Sequence, residues 1–204
     1  MKVFPLFNRF DLEAFLGSWA KFYRDVYGFD LNGRGIALPP IEKAMGAGVV
    51  MARSITIEQD LVEIKKRTKK NLLYRYTDSK IDELIQKDKE AARPTGPYVV
   101  WTTPAIEAIN QGPHLAGKSY NDIQKMNVSV MNFAEYTRLF LWHLVATGEP
   151  LDRESWTLTG SLVAGDGVLG GGWFGGGFGA VWCGRGGARV YVRFRQVVPS
   201  PPLS

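Results

Sequence analysis

With 204 residues, of which 45% are apolar, 12% aromatic and 22% charged, the chain has the proportions of a folded globule, which excludes a disordered or fibrous protein. Its formal net charge of +5 gives a weak long-range attraction for polyanions, shared by many basic proteins that bind none. A single cysteine, Cys183, excludes an intrachain disulfide and a thiolate-rich zinc site, so the expectation is a reducing compartment, no metal and no cofactor.

Pro5 and Arg9 interrupt the opening run where an export signal has an unbroken apolar stretch. The uncharged stretch 168–183 is too short and too rich in glycine to span a bilayer. Both observations predict a cytoplasmic protein with no membrane partner.

In chain order, Asp11 as N-cap and Gly28 as stop bracket a predicted helix, Leu12–Tyr27, in which Phe15, Trp19, Phe22 and Tyr23 recur at helical spacing as a core stripe. Residues 32–35 and Pro39-Pro40 predict a loop, 41–45 a short helix and 49–54 a strand. Thr56-Ile57-Glu58-Gln59 is a capping box that opens an amphipathic helix running to about residue 70. A strand at 72–76 follows, then a short helix capped by Asp78 or Ser79, then a strand at 98–102. The order β-α-β-α-β predicts a small sheet of parallel neighbours backed by crossover helices.

Pro104 predicts another short helix, Ser119 caps one through Met126, and Asn132 caps a long one ending at Gly148, with Val145 among its inward positions. From Trp156 the rhythm changes to two, and 156–159, 178–182 and 189–197 predict antiparallel strands joined by glycine turns. The fold class expected is therefore α/β, mixed α+β. It is read as one domain, 1–198, with a helical and β-α-β body at 1–155, an antiparallel glycine-rich segment at 156–198 and a frayed tail at 199–204.

Several segments form a familiar set: Val49-Val50-Met51-Ala52 before the capped helix, Tyr74-Arg75-Tyr76-Thr77-Asp78, Tyr98-Val99-Val100-Trp101, the helix around Glu135-Tyr136, Thr147-Gly148-Glu149-Pro150-Leu151-Asp152, and Trp156-Thr157-Leu158-Thr159-Gly160-Ser161. In this order, and over most of the chain, they resemble a family of small bacterial proteins from candidate-phylum and metagenomic genomes. The resemblance implies no particular activity. The chain departs from that pattern at its end, where the glycine run 170–177 and a basic strand replace a polar Ser-Asp-Gly turn with acidic residues.

Two motifs bear on chemistry. Gly112-Pro113-His114-Leu115-Ala116-Gly117-Lys118-Ser119 satisfies the Walker A spacing, in which backbone amides after Gly112 and Gly117 cradle phosphates, Lys118 reaches the terminal ones and Ser119 holds magnesium. A P-loop needs a strand immediately before it, and 104–111 reads as helix; the simpler account is a surface loop with Ser119 as a cap. Gly165-Asp166-Gly167-Val168-Leu169-Gly170 matches a dinucleotide fingerprint but is followed by glycines, which do not open a helix.

The basic residues form two groups. Lys65, Lys66, Arg67, Lys69 and Lys70 crowd one helix end, either as phosphate contacts or as cations suited to the helix dipole. Alternation places Arg189, Tyr191, Arg193 and Arg195 on one face of the last strand, a ring among guanidinium groups that suits single-stranded nucleic acid. Trp173, Phe174, Phe178 and Trp182 either enlarge that platform or fill the core.

His114 and His143 have no patterned partner, and no nucleophile or metal signature appears; Glu135 is the acid to inspect first for catalysis. Three classes follow. The first is a non-enzymatic binding module for a polyanion such as nucleic acid, or for a protein partner; the second is a nucleotide-phosphate enzyme using the P-loop-like segment; the third is a structural or mobile-element accessory protein.

Overall fold

Helix α1 (Leu12–Tyr27) forms because its ends are chemically marked: the Asp11 carboxylate accepts the N–H of Ala14 at 3.0 Å, and Gly28, at φ 63°, closes the last turn. The structure is a computed structural model and describes residues 11–31, 35–40, 46–52, 54–68, 73–75, 77–108 and 115–201. The further elements in chain order are β1 (Ala47–Met51), α2 (Ile57–Arg67), β2 (Leu73–Arg75), α3 (Ile81–Leu84), β3 (Tyr98–Thr102), α4 (Tyr120–Met126), α5 (Phe133–Thr147), β4 (Trp156–Val163), β5 (Gly167–Phe174), β6 (Gly177–Gly184), β7 (Val192–Phe194) and β8 (Val197–Pro199). The protein is mixed α+β, with one antiparallel sheet and one mixed sheet. The short helix expected at 41–45 lies outside the described residues.

The chain divides into two compact units, each assembled from separated segments: 1–55, 92–104 and 197–204 in the first, 56–91 and 105–196 in the second. In the first unit α1 accompanies an antiparallel sheet of order β1-β3-β8. The aromatic stripe of α1 is core: Phe15, Trp19, Phe22 and Tyr23 are buried, and the Tyr23 hydroxyl donates to Val50 O at 2.7 Å while accepting from Ala52 N at 3.0 Å. Phe15 meets Trp101 edge-on at 5.4 Å, and Gly48 makes room for both rings, since a Cβ there would stand 2.6 Å from the indole. The tail is anchored rather than frayed as far as Ser200: β8 pairs with β3, and buried Ser200 donates from its N–H and hydroxyl to Val99 O. Residues 202–204 lie outside the described set.

The order β-α-β-α-β is present, but its strands are not parallel neighbours. β1 pairs with β3 antiparallel, while β2 joins the second unit's sheet, of order β2-β6-β5-β4-β7. In that sheet the central β4-β5-β6 meander is antiparallel, and the edge strands β2 and β7 run parallel to their neighbours. The predicted strand 189–197 is divided: residues 189–191 turn, β7 joins one sheet and β8 the other. The break at 155 is not a unit boundary, because α2 to α5 belong with β4 to β7.

Helix α5 packs on one face of the five-stranded sheet through Tyr136 and Phe140, whose rings meet Phe178, and through a stack of Phe140 on Trp173. Val145 is exposed, contrary to the inward position expected for it. α2 joins α5 through Asp60 and Arg138, both fully buried, with N–O 2.8 Å. The helices α2 and α3 cap each other: Asp82 accepts the N–H groups of Ile57 and Glu58 at 3.2 and 3.0 Å, and Glu58 accepts that of Ile81 at 2.8 Å. This reciprocal pair does the work expected of Asp78 or Ser79.

Candidate functional site

The glycine run that reads as turns is a strand. β5 pairs residue for residue with β6, from Gly167 opposite Gly184 to Phe174 opposite Gly177, and Gly175 and Gly176, at φ 57° and 95°, make the two-residue turn that only glycine enters readily. Alternation then sorts the rings of this segment between two faces. Trp173 and Phe178 turn toward Phe140 of α5, Phe178 fully buried and Trp173 partly so. Trp182 pairs with Leu169 and shares its face.

On the opposite face the sheet is bare where glycines meet. A Cβ on Gly179 would stand 2.7 Å from Cη2 of Trp156 and one on Gly172 3.3 Å from its Cδ2, so the indole lies from β4 across β5 to β6 on backbone that carries no side chains. α4 covers another part of this face, where Tyr120 and Ile123 pack with Leu158, Leu162, Val168 and Phe194. Beside that packed part the surface opens into two hollows.

The first, of about 410 Å³, is lined by Trp156, Phe174, Val181, Cys183, Arg189 and Tyr191 among others. The second, of about 360 Å³, is lined by Leu73, Tyr74, Arg75, Trp156, Phe174 and Val181. They share Trp156, Phe174 and Val181 as a common wall. Phe174 is 57% exposed and Tyr191 42%, whereas large aromatic side chains mostly bury in a monomeric fold. Tyr74 meets Phe174 edge-on at 5.5 Å, and Trp156 lies 6.3 Å from the same ring, so the three form one aromatic corner.

The charge of this groove is one-signed. Among the described residues its lining holds Arg75 and Arg189 and no carboxylate. Arg75 is neutralised by Glu58, to which its Nη1 donates at 3.2 and 3.1 Å. Arg189 donates instead to the phenol of Tyr191 at 2.8 Å, and that hydrogen bond raises its already high pKa, so it is cationic at any working pH. Burial pushes the Cys183 thiol up against the opposing pull of Arg189, which keeps it protonated at neutral pH and a poor nucleophile.

The arginine face expected from alternation does not exist as a surface. Arg189 and Tyr191 reach the groove, but Arg193 is nearly buried and its Nη1 donates to the carbonyls of Arg189 and Val192 at 3.3 and 2.8 Å, bracing the turn that carries them. Arg195 is fully buried and forms an ion pair with Asp152 at 2.6 Å, while also donating to Thr157 Oγ1 and to the carbonyls of Ala105 and Ile106. Asp152 accepts in addition from Tyr136, Thr157 and Ala108 N, at 2.8, 2.6 and 2.6 Å. Lys65, Lys66 and Arg67 end α2, where Lys66 and Arg67 pair with Glu63; burial raises that carboxyl, but their hydrogen bonds outweigh it and hold it below its usual range. None of the three lines the groove, and Lys69 and Lys70 lie outside the described residues.

The P-loop-like segment is only partly described, Gly112 to His114 lying outside. Residues 103–107 are neither strand nor helix, and residues 109–111, where the helix expected from Pro104 would continue, lie outside the described residues. Gly117 sits in a turn at φ 62°, Lys118 is half-buried, and Ser119 caps α4: its hydroxyl accepts from Asp122 N at 3.2 Å and donates to the Asp122 carboxylate at 2.7 Å. A hydroxyl so engaged is not poised for magnesium.

The acids are similarly committed. Glu135 is buried and accepts from Asn132 N at 2.9 Å as the far half of a capping box, and Glu107 accepts three successive backbone N–H groups, those of Arg153, Glu154 and Ser155. Among the described residues no three His, Cys, Asp or Glu side chains gather into a metal-binding group.

Sequence reasoning named Phe174, Arg189 and Tyr191 but not Trp156 or Tyr74 as part of the site. The signal was present in the spacing Gly170-x-Gly172-x-Phe174, which on a strand puts two bare positions and a ring on one face.

Fold and site together define a mixed α+β protein with an aromatic groove on a glycine-floored sheet. No protein-family model matches the chain, and neither a curated protein nor a solved structure matches it. No helix among the described residues is long and apolar enough to cross a membrane.

Proposed function

We propose that this is a non-enzymatic binding module for single-stranded nucleic acid, which the groove receives by stacking bases on its exposed rings while Arg189 holds a phosphate. The observation that carries this reading is the placement of Phe174 and Tyr191, both exposed, in a hollow whose unneutralised charge is Arg189. Base–aromatic stacking contributes about 1–3 kcal/mol per base and tolerates any sequence. A purely apolar peptide would leave Arg189 without a countercharge, and an acidic substrate without planar groups would leave the rings idle. The buried carboxylates Asp60, Glu135 and Asp152 are engaged in capping and ion pairing rather than facing the groove, which favours binding over hydrolysis.

Fluorescence anisotropy of a labelled oligothymidylate, titrated over a series of salt concentrations, tests this. The affinity is expected to fall with salt, with Arg189→Ala reducing the salt slope by about 1 and Phe174→Ala weakening binding roughly tenfold. Binding that ignores salt, or that both variants leave unchanged, overturns the proposal, as does tighter capture of an apolar peptide at the same residues.

A further inference from the structure

Resting on that reading, we infer that the groove takes two successive bases, one on either side of the Trp156–Phe174 wall, with the flanking phosphate at Arg189, and that it discriminates neither base identity nor sugar. Two hollows of similar size, about 410 and 360 Å³, share this wall, and each is therefore a separate place for a planar group. Their polarity differs. The first holds Arg189, bonded among the described residues to a phenol; the second holds Arg75, whose charge Glu58 already answers. A ligand with a phosphate at one end and a ring beyond it fits this gradient in one orientation.

Two of the side-chain hydroxyls in the lining are engaged within the protein. Thr157 donates its hydroxyl to Asp152 at 2.6 Å and accepts from Arg195 at 3.0 Å, and the Tyr191 hydroxyl accepts from Arg189. Among the described residues no asparagine, glutamine or carboxylate lines either hollow, and those are the groups that distinguish bases by paired hydrogen bonds. The glycine floor offers no side chain to a ribose 2′-hydroxyl, the group by which a protein tells RNA from DNA.

Calorimetric titration with thymidine 5′-monophosphate, the thymidine dinucleotide and the thymidine tetranucleotide tests the inference. The dinucleotide should bind about tenfold more tightly than the mononucleotide, with a much smaller gain from dinucleotide to tetranucleotide. Tyr74→Ala, at a ring that lines the second hollow and not the first, should remove most of the gain from the second base while leaving mononucleotide binding within about threefold, and Arg189→Ala should weaken both ligands by a common factor. Deoxyadenosine, deoxycytidine and uridine dinucleotides should bind within about threefold of the thymidine one, because stacking is sequence-tolerant. The two-base inference falls if the dinucleotide gains nothing, if Tyr74→Ala weakens both ligands equally, or if one base or sugar is preferred by more than about tenfold, as a bidentate contact would give. If none of these ligands and no longer oligonucleotide binds, the nucleic-acid reading itself is overturned.

Discussion

Trp156 rests on Gly179: a Cβ at that glycine would stand 2.7 Å from the indole Cη2 two strands away. The groove wall depends on this contact, since an added methyl has only an aromatic ring to displace. Gly179→Ala is expected to destabilise the protein by about 1–3 kcal/mol, as overpacking does, and to shift the tryptophan emission. Urea midpoints and emission spectra check both; an unchanged midpoint with an unchanged spectrum would mean that the indole is not held against the sheet.

Two arginines six residues apart, both expected on one basic face, should behave oppositely. Arg195→Ala strands Asp152 in the interior and is expected to cost about 3–5 kcal/mol. Arg189→Ala, on the surface, should stay within about 0.5 kcal/mol of the parent. Replacing Asp152 by Ala and Arg195 by Met together should recover part of the loss, because removing both charges leaves neither unpaired. Chemical denaturation of the four proteins reads this directly.

Acid should weaken the fold through His143. Burial, helped by the charge of Arg195, lowers its pKa from 6.5 to about 4, so the folded protein keeps the imidazole neutral where the unfolded chain would protonate it. The stability this neutral form contributes is intact above pH 6.5 and is lost as the pH falls toward 4, by an amount of about 3 kcal/mol over the window. His143→Gln should flatten the dependence of the urea midpoint on pH in that interval, while leaving the loss due to carboxylate protonation below it.

Removing Asp82 opens the reciprocal cap. Asp82→Ala frees two N–H groups at the start of α2 and is expected to cost about 1–2 kcal/mol, visible as a lower Tm. Asp82→Asn, which keeps an acceptor, should lose less.

Ser119→Ala is expected to cost about 1 kcal/mol through its cap, and magnesium with ATP should leave the Tm of the parent and of Lys118→Ala alike. A rise in Tm confined to the parent would restore the phosphate-binding role of the segment.

Local chemistry was legible in the sequence. The caps at Asp11, Thr56, Ser119 and Asn132, the stops at Gly28 and Gly148, and the aromatic stripe of α1 all depend on residues within a few positions of one another, and all four caps form as their spacing requires. The strand β5 was hidden because glycine has little strand preference of its own; it extends here because β4 and β6 pair with it on both edges and neighbouring rings need the space. The site was half legible for the same reason. Phe174 and Tyr191 stand out by type, whereas Tyr74 meets Phe174 only across 100 residues and Trp156 only across a strand pairing, and the arginines of one alternating run look alike until burial separates Arg189 from Arg195.

By itself the sequence determined where the side-chain-capped helices α1, α2, α4 and α5 begin and the mixed class of the fold, because capping and amphipathic spacing act between near neighbours along the chain. Only the tertiary structure decided which strands share a sheet, which rings fill the core and which line the groove, because those outcomes depend on who stands opposite each glycine. A missing side chain has no address in the sequence until another strand lies against it.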